Sequence, residues 1–144
     1  MATGAGRGVI YIDTSAAMKL VRPEEYSLDL SRWLAERLDV PVVSSQLIEV
    51  ELLRATKRSE PSRVDRAREV LQGINVVAFS PPVIARAAGY ADPELRSLDA
   101  IHLATAEHVA SKANKPLEAF LAYDSRLLEA AQSMGMNVAA PGTP

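Results

Sequence analysis

Short apolar runs separated by helical sequence constrain this chain more than any other feature. Val9–Ile12 is brief, apolar and β-branched, as expected of a buried strand. Pro41–Val43, Asn75–Phe79 and Ala119–Tyr123 read as further strands, with Asn137–Ala139 as a last short one. Thr14–Val21 favours helix and is stopped by Pro23. Glu24–Leu38 carries Tyr26, Leu30, Trp33, Leu34 and Leu38 as one apolar stripe at helical spacing. Helices are also expected from Ser45 as cap to about Lys57, from Pro61 to Gly73, and from Pro81 to Gly89. Two more run from Ser97 as cap to about Ala113 and from Ser125 to Met134. Strands that alternate with helices argue for an α/β domain whose mainly parallel sheet, of four to five strands, is covered on both faces. With 144 residues and no repeat or linker, one domain holds everything.

Composition narrows the class. Hydrophobic residues make up 48% of the chain, so burial is not limiting. The net charge of -2 does not announce a nucleic-acid binder, although a carboxylate-rich metal site would itself lower that charge. The absence of cysteine excludes disulfides and thiolate–metal sites and fits a reducing, cytoplasmic setting. Residues 1–8 lack the apolar core of a signal peptide and read as a flexible lead, as do residues 140–144 as a tail. The apolar runs are far too short to cross a bilayer.

Four acid-bearing segments carry the chemistry. They surround Asp13 (Val9–Ser15), Glu49 and Glu51 (Ser44–Glu51), Asp99 (Arg96–His102) and Asp124 (Phe120–Ser125). Each puts a carboxylate where a strand ends or near where a helix starts, and in an open α/β sheet that edge binds ligands. Acids gathered there repel one another unless a cation joins them, and magnesium or manganese accepts such oxygen ligands. The pattern points to a metal-dependent enzyme acting on phosphate esters.

Each acid also has an ordinary explanation. Asp13 could cap the first helix, but Thr14 or Ser15 could do that equally well. Glu49 and Glu51 lie two apart on a helix and face nearly opposite ways, so only one can join a shared site; periodicity does not choose. Asp99 would interact favourably with a helix dipole, worth about 0.3–1 kcal/mol, yet the helix behind it is unusually apolar and reads as central. For Asp124, capping, indirect support and direct coordination are equally good readings. His102 and His108 have no partners at zinc-ligand spacing, and His102 reads as a packed, hydrogen-bonded residue. No nucleophile elbow, P-loop or dinucleotide fingerprint occurs. The mixed-charge stretch Arg54–Arg68 is either a solvated helical hairpin or a phosphate-tracking flank.

Taken in order, Asp13-Thr14-Ser15-Ala16-Ala17-Met18-Lys19-Leu20 with Pro23-Glu24-Glu25, Ser44–Ala55, Arg96–Ala106, and Tyr123–Leu127 with Ala130-Ala131 resemble the motifs of PIN-domain ribonucleases of the VapC toxin type. The resemblance spans Val9 to about Val138; one departure is Ala122, where many members carry threonine. It implies a three-layer αβα PIN-like domain over residues 9–139. It further implies Mg2+, with Mn2+ able to substitute, held by Asp13, Glu51 and Asp99 with Asp124 in or beside the shell. Thr14 and Ser15 would support a ligand or the scissile phosphate. The implied activity is hydrolysis of RNA to inhibit translation, neutralised by a cognate VapB-type antitoxin, with a homodimer inside the larger complex. Rival expectations are a PIN-like scaffold that binds RNA or protein without cutting, and a phosphoacceptor domain using Asp13.

Overall fold

The computed structural model describes residues 8–144. The strands are β1 (Ile10–Ile12), β2 (Val42–Ser45), β3 (Asn75–Val77), β4 (Ala119–Leu121) and β5 (Val138–Ala139). They form one sheet in the order β3-β2-β1-β4-β5, and every pairing is parallel. Among the described residues the expected mainly parallel sheet is thus wholly parallel and has five strands. The helices are α1 (Thr14–Val21), α2 (Ser27–Ala35), α3 (Leu47–Ser59), α4 (Val64–Gln72), α5 (Pro81–Ala88), α6 (Ser97–Ala113) and α7 (Ser125–Ser133).

β1 has a strand on each side, and Ile10, Tyr11 and Ile12 are fully buried. Alternate side chains of a strand point to opposite faces, so β1 feeds two separate cores. Ile10 and Ile12 join Ala16, Ala17, Leu30, Ile48, Leu52, Ala67 and Leu121 on one face. Tyr11 joins Phe120, Leu103, Ala106, Leu127 and Ala131 on the other. The result is three layers, αβα. After β3 the chain crosses back to place β4 on the far side of β1, so the strand order reverses at β1 and a crevice opens at its exit.

Several element ends differ from expectation for local reasons. Tyr26 adopts a left-handed backbone (φ 70°), so α2 begins at Ser27 rather than Glu24 and ends at Ala35 rather than Leu38. The apolar stripe is broken accordingly. Leu30 is buried, Trp33 and Leu34 pack half-buried against the core, and Leu38 lies past the helix, 86% exposed. Tyr26 stacks instead on Tyr123, ring centroids 5.8 Å apart. Ser45 ends β2, although its hydroxyl still accepts the Leu47 amide at 3.1 Å. Ser97 is the first residue of α6 and not its cap; Arg96 holds that position with no side-chain cap bond.

Residues 140–144, read as a flexible tail, are here held by Tyr123 Oη donating to the Pro141 carbonyl (2.8 Å) and by the Thr143 amide donating to the Ala140 carbonyl (3.1 Å). Gly142 sits at φ 95°, where an added Cβ would come within 2.6 Å of Asp29 Oδ2. The expected lead lies, apart from Gly8, outside the described residues. In the Arg54–Arg68 stretch, Arg63 pairs with Glu60, Arg66 with Glu69 and Arg68 with Asp65. Arg66 also donates to the Leu20 carbonyl in the last turn of α1, the opposite end from Asp13. These arginines therefore form a locally paired hairpin rather than a flank of the acids.

Truncating Leu52, fully buried under the sheet, should cost about 2–5 kcal/mol on Leu52→Ala, from lost burial plus an unfilled cavity. Leu38→Ser should change stability by no more than about 0.5 kcal/mol. Urea denaturation of both variants checks the contrast.

Candidate active site

Asp13 leaves the end of β1 directly into α1 and is 4% exposed. It is the N-cap of that helix: Oδ1 accepts the Ala16 amide at 2.9 Å. The capping role, which the sequence left open among Asp13, Thr14 and Ser15, thus falls to Asp13. Both hydroxyls are turned to carboxylates instead. Ser15 Oγ donates to Asp13 Oδ1 and Oδ2 at 2.7 and 2.8 Å, and accepts the Tyr123 amide at 2.9 Å. It thereby ties the exit of β1 to the exit of β4. Burial is the largest influence on Asp13 and pushes its carboxyl up to about 6, against the pull of the Ala16 amide, Ser15 and His102.

Of the two glutamates on α3, Glu51 turns to the sheet edge, and Glu49 faces solvent. Thr14 Oγ1 donates to Glu51 Oε1 at 2.6 Å, and His102 Nε2 lies 2.8 Å from the same oxygen. His102 Nδ1 lies 2.7 Å from Tyr11 Oη, which accepts the Ser45 amide at 3.1 Å. His102 is 3% exposed. Burial pushes Glu51 up, but the hydrogen bond and field of His102 and the Thr14 hydroxyl outweigh it, and the net shift is down. Burial holds the Tyr11 phenol far above its ordinary range, so it keeps its proton.

Asp99 lies in the first turn of α6 and is half-buried. Burial first, then the neighbouring charge of Asp124, raise its carboxyl; Glu51 adds to this, and Arg96 and His102 oppose it. Asp124 caps α7, its Oδ1 accepting the Arg126 and Leu127 amides at 2.9 and 3.2 Å. A cleft of about 360 Å³ opens beside Asp99 and is walled by Arg96, Arg126, Leu95 and Glu129.

The four predicted acids thus come from four elements, and Asp99 feels the charges of Asp124 and Glu51. Among the described residues no group of three His, Cys, Asp or Glu side chains is set to hold an ion as it stands. The donor chemistry nevertheless suits a hard divalent cation. The donors are all carboxylates; burial raises both Asp13 and Asp99, and Asp124 and Glu51 add to the rise at Asp99. His102 is not part of that donor set, because both ring nitrogens already have partners. The sequence places His102 as packed and hydrogen-bonded, which it is, but gives no sign that its partner is Glu51. Tyr11 was missed altogether, since a tyrosine within an apolar strand gives no sign of where its hydroxyl goes.

Comparison with known proteins agrees with this fold. The PIN domain profile matches residues 10–132. The chain belongs to the PIN-domain family, in its VapC branch. It is 42% identical to ribonuclease VapC35 of Mycobacterium tuberculosis over 134 residues, covering 93% of this chain and 98% of the relative. It is 38% identical to ribonuclease VapC47 of the same organism, covering 93% and 98%. Among solved structures, the fold is similar to M. tuberculosis VapC20, described as a sarcin-ricin loop cleaving toxin, with a TM-score of 0.66, 18% identity, and 84% and 94% of the two chains covered. It is also similar to a chain of a toxin–antitoxin complex from Klebsiella pneumoniae, with a TM-score of 0.65, 18% identity, and 94% and 99% covered. As in the PIN domains it resembles, the sheet is parallel and flanked by helices on both faces.

Asp13 generates a pH prediction for this PIN domain in chelator. Its carboxyl is raised from 3.8 to about 6, so it binds a proton more tightly folded than unfolded. Its favourable contribution is complete below about pH 4 and is lost as the pH rises through about 6. Asp13→Asn keeps a capping oxygen and removes the charge. In chelator the variant should match the parent near pH 4 and be more stable by about 1–3 kcal/mol near pH 7.5. Thermal melts across that range measure the difference.

Proposed function

We propose that this protein is a metal-dependent endoribonuclease toxin that hydrolyses RNA phosphodiester bonds, inhibits translation in the cytoplasm, and is neutralised by a cognate VapB-type antitoxin. One observation carries the reading. Carboxylates carried by the β1 exit, α3, the first turn of α6 and the β4–α7 junction lie toward one edge of a parallel sheet, and Asp99 feels the charges of Asp124 and Glu51. The kinship with VapC ribonucleases supports the choice of RNA over other phosphate esters.

Asp13, Glu51 and Asp99 would hold Mg2+, or Mn2+ in its place, with Asp124 in or beside the shell. When bound, such an ion neutralises the acids and supplies Lewis acidity toward a phosphoryl oxygen. The remaining work belongs to the chain. The Ala16 amide and Ser15 hydroxyl hold Asp13 facing the crevice. Thr14 and His102 hold Glu51. Arg96 and Arg126, on the cleft wall beside Asp99, are placed to take phosphates of the RNA strand. The protein acts as a homodimer within a larger toxin–antitoxin complex; the similar fold in the K. pneumoniae toxin–antitoxin complex supports the antitoxin partner. Among the described residues no helix is long and apolar enough to cross a membrane.

Asp13→Asn and Asp99→Asn should each abolish RNA cleavage in Mg2+ while the circular dichroism spectrum stays unchanged. Full cleavage by either variant would refute the assignment. If the purified protein binds RNA but neither Mg2+ nor Mn2+ elicits cutting, the non-cutting scaffold is the better description. Arg96→Ala and Arg126→Ala should weaken RNA binding across sequences and each lower the salt slope by roughly 1. Fluorescence anisotropy over a salt series reads this out.

A further inference from the structure

Glu51 is fixed from behind by a chain of buried hydrogen bonds that passes through two other elements of the fold. Glu51 Oε1 contacts His102 Nε2 at 2.8 Å, and His102 Nδ1 contacts Tyr11 Oη at 2.7 Å. Tyr11 Oη is in turn held by the Ser45 amide at the end of β2, at 3.1 Å. The Tyr11 ring is clamped as well. It stacks on Phe120 with centroids 5.1 Å apart and planes 9° apart, and meets the His102 ring edge-on at 5.8 Å and 79°. Both Tyr11 and Phe120 are fully buried.

Donor and acceptor capacities set the protons along this chain. An ionised carboxylate only accepts, so Nε2 must carry the proton that faces Glu51. Tyr11 Oη already accepts an amide and has its own proton to give, which leaves Nδ1 as the bare acceptor. In its neutral form the ring thus satisfies every contact from Ser45 to Glu51 as a single tautomer, and in its protonated form it adds the field felt by Glu51. Hydrogen bonds aligned in this way polarise one another and fix ring orientation. The arrangement also explains why a tyrosine hydroxyl and an imidazole lie in an otherwise apolar core, where unpaired polar groups are costly.

We infer that His102, locked by Tyr11, is a positioning residue that sets the side-chain rotamer of Glu51 and its readiness to bind a divalent cation. The inference rests on the reading of Glu51 as a ligand. Losing such a supporting partner typically weakens metal binding by roughly 10–100-fold.

Calorimetric titration of the full chain with Mn2+ alone tests it, using the parent, Glu51→Gln, His102→Ala, His102→Gln and Tyr11→Phe. His102→Ala should weaken Mn2+ binding by roughly 10–100-fold. His102→Gln, whose amide can still donate to Glu51, should recover much of that loss. Tyr11→Phe should give a smaller loss. Long-range 15N NMR of the metal-free parent should show His102 protonated at Nε2 with Nδ1 bare, and Tyr11→Phe should erode that bias. If His102→Ala does not fold by circular dichroism, His102→Gln and Tyr11→Phe with the NMR tautomer carry the test. The inference is overturned if Glu51→Gln weakens Mn2+ binding while the His102 and Tyr11 variants bind within about twofold of the parent. If Glu51→Gln itself binds like the parent, the ligand reading of Glu51 fails first and takes the inference with it.

Discussion

The placement of β1 at the centre of a wholly parallel sheet governs the rest of the molecule. Its three residues are buried on both faces, and its exit is the point where strand order reverses. Parallel pairing sends every strand out at the same edge. The loops and helix starts that follow β1, β2 and β4 are therefore forced together, and α6 brings its first turn to the same place. Acids at four separate positions in the chain become neighbours because the hydrogen-bond ladder allows no other arrangement of their carriers.

That convergence runs against stability. Asp13 is nearly fully buried and remains acidic only with the help of an amide and a hydroxyl. Asp99 is raised by burial and by Asp124. Local conflicts of this kind concentrate where a fold has been shaped for function rather than for rigidity. The conflict is managed by giving each acid a second structural duty. Asp13 and Asp124 cap α1 and α7, so the helix ends help to hold the charges in place. Capping and chemistry, treated as competing explanations in the sequence, turn out to be compatible. A residue whose oxygens accept helix amides is also held still for a ligand.

The order of strands and helices was legible because each element has its own period and its own stop signals. Pro23, Gly73, Gly89 and Asn114 all lie where an element ends. Element ends were less legible where the backbone does something side chains do not announce. Tyr26 in a left-handed conformation shortened α2 and released Leu38 from the core face. Of the acids, Asp13, Asp99 and Asp124 could be placed at the edge from their strand-end and helix-start positions alone. The choice of Glu51 over Glu49 could not, because two residues on a helix differ by a rotation that only the packing of α3 fixes; in the sequence, resemblance alone had favoured Glu51.

By itself the sequence determined an α/β domain, the run of its elements and a set of carboxylates at strand ends, since these follow from local periodicity and turn chemistry. Tertiary structure alone decided that Ser15 bridges Asp13 to β4, that Arg66 reaches the Leu20 carbonyl, and that Tyr11 and His102 stand behind Glu51. Those are contacts between residues up to 108 positions apart. No local pattern encodes them, because they exist only once the sheet has set the distances.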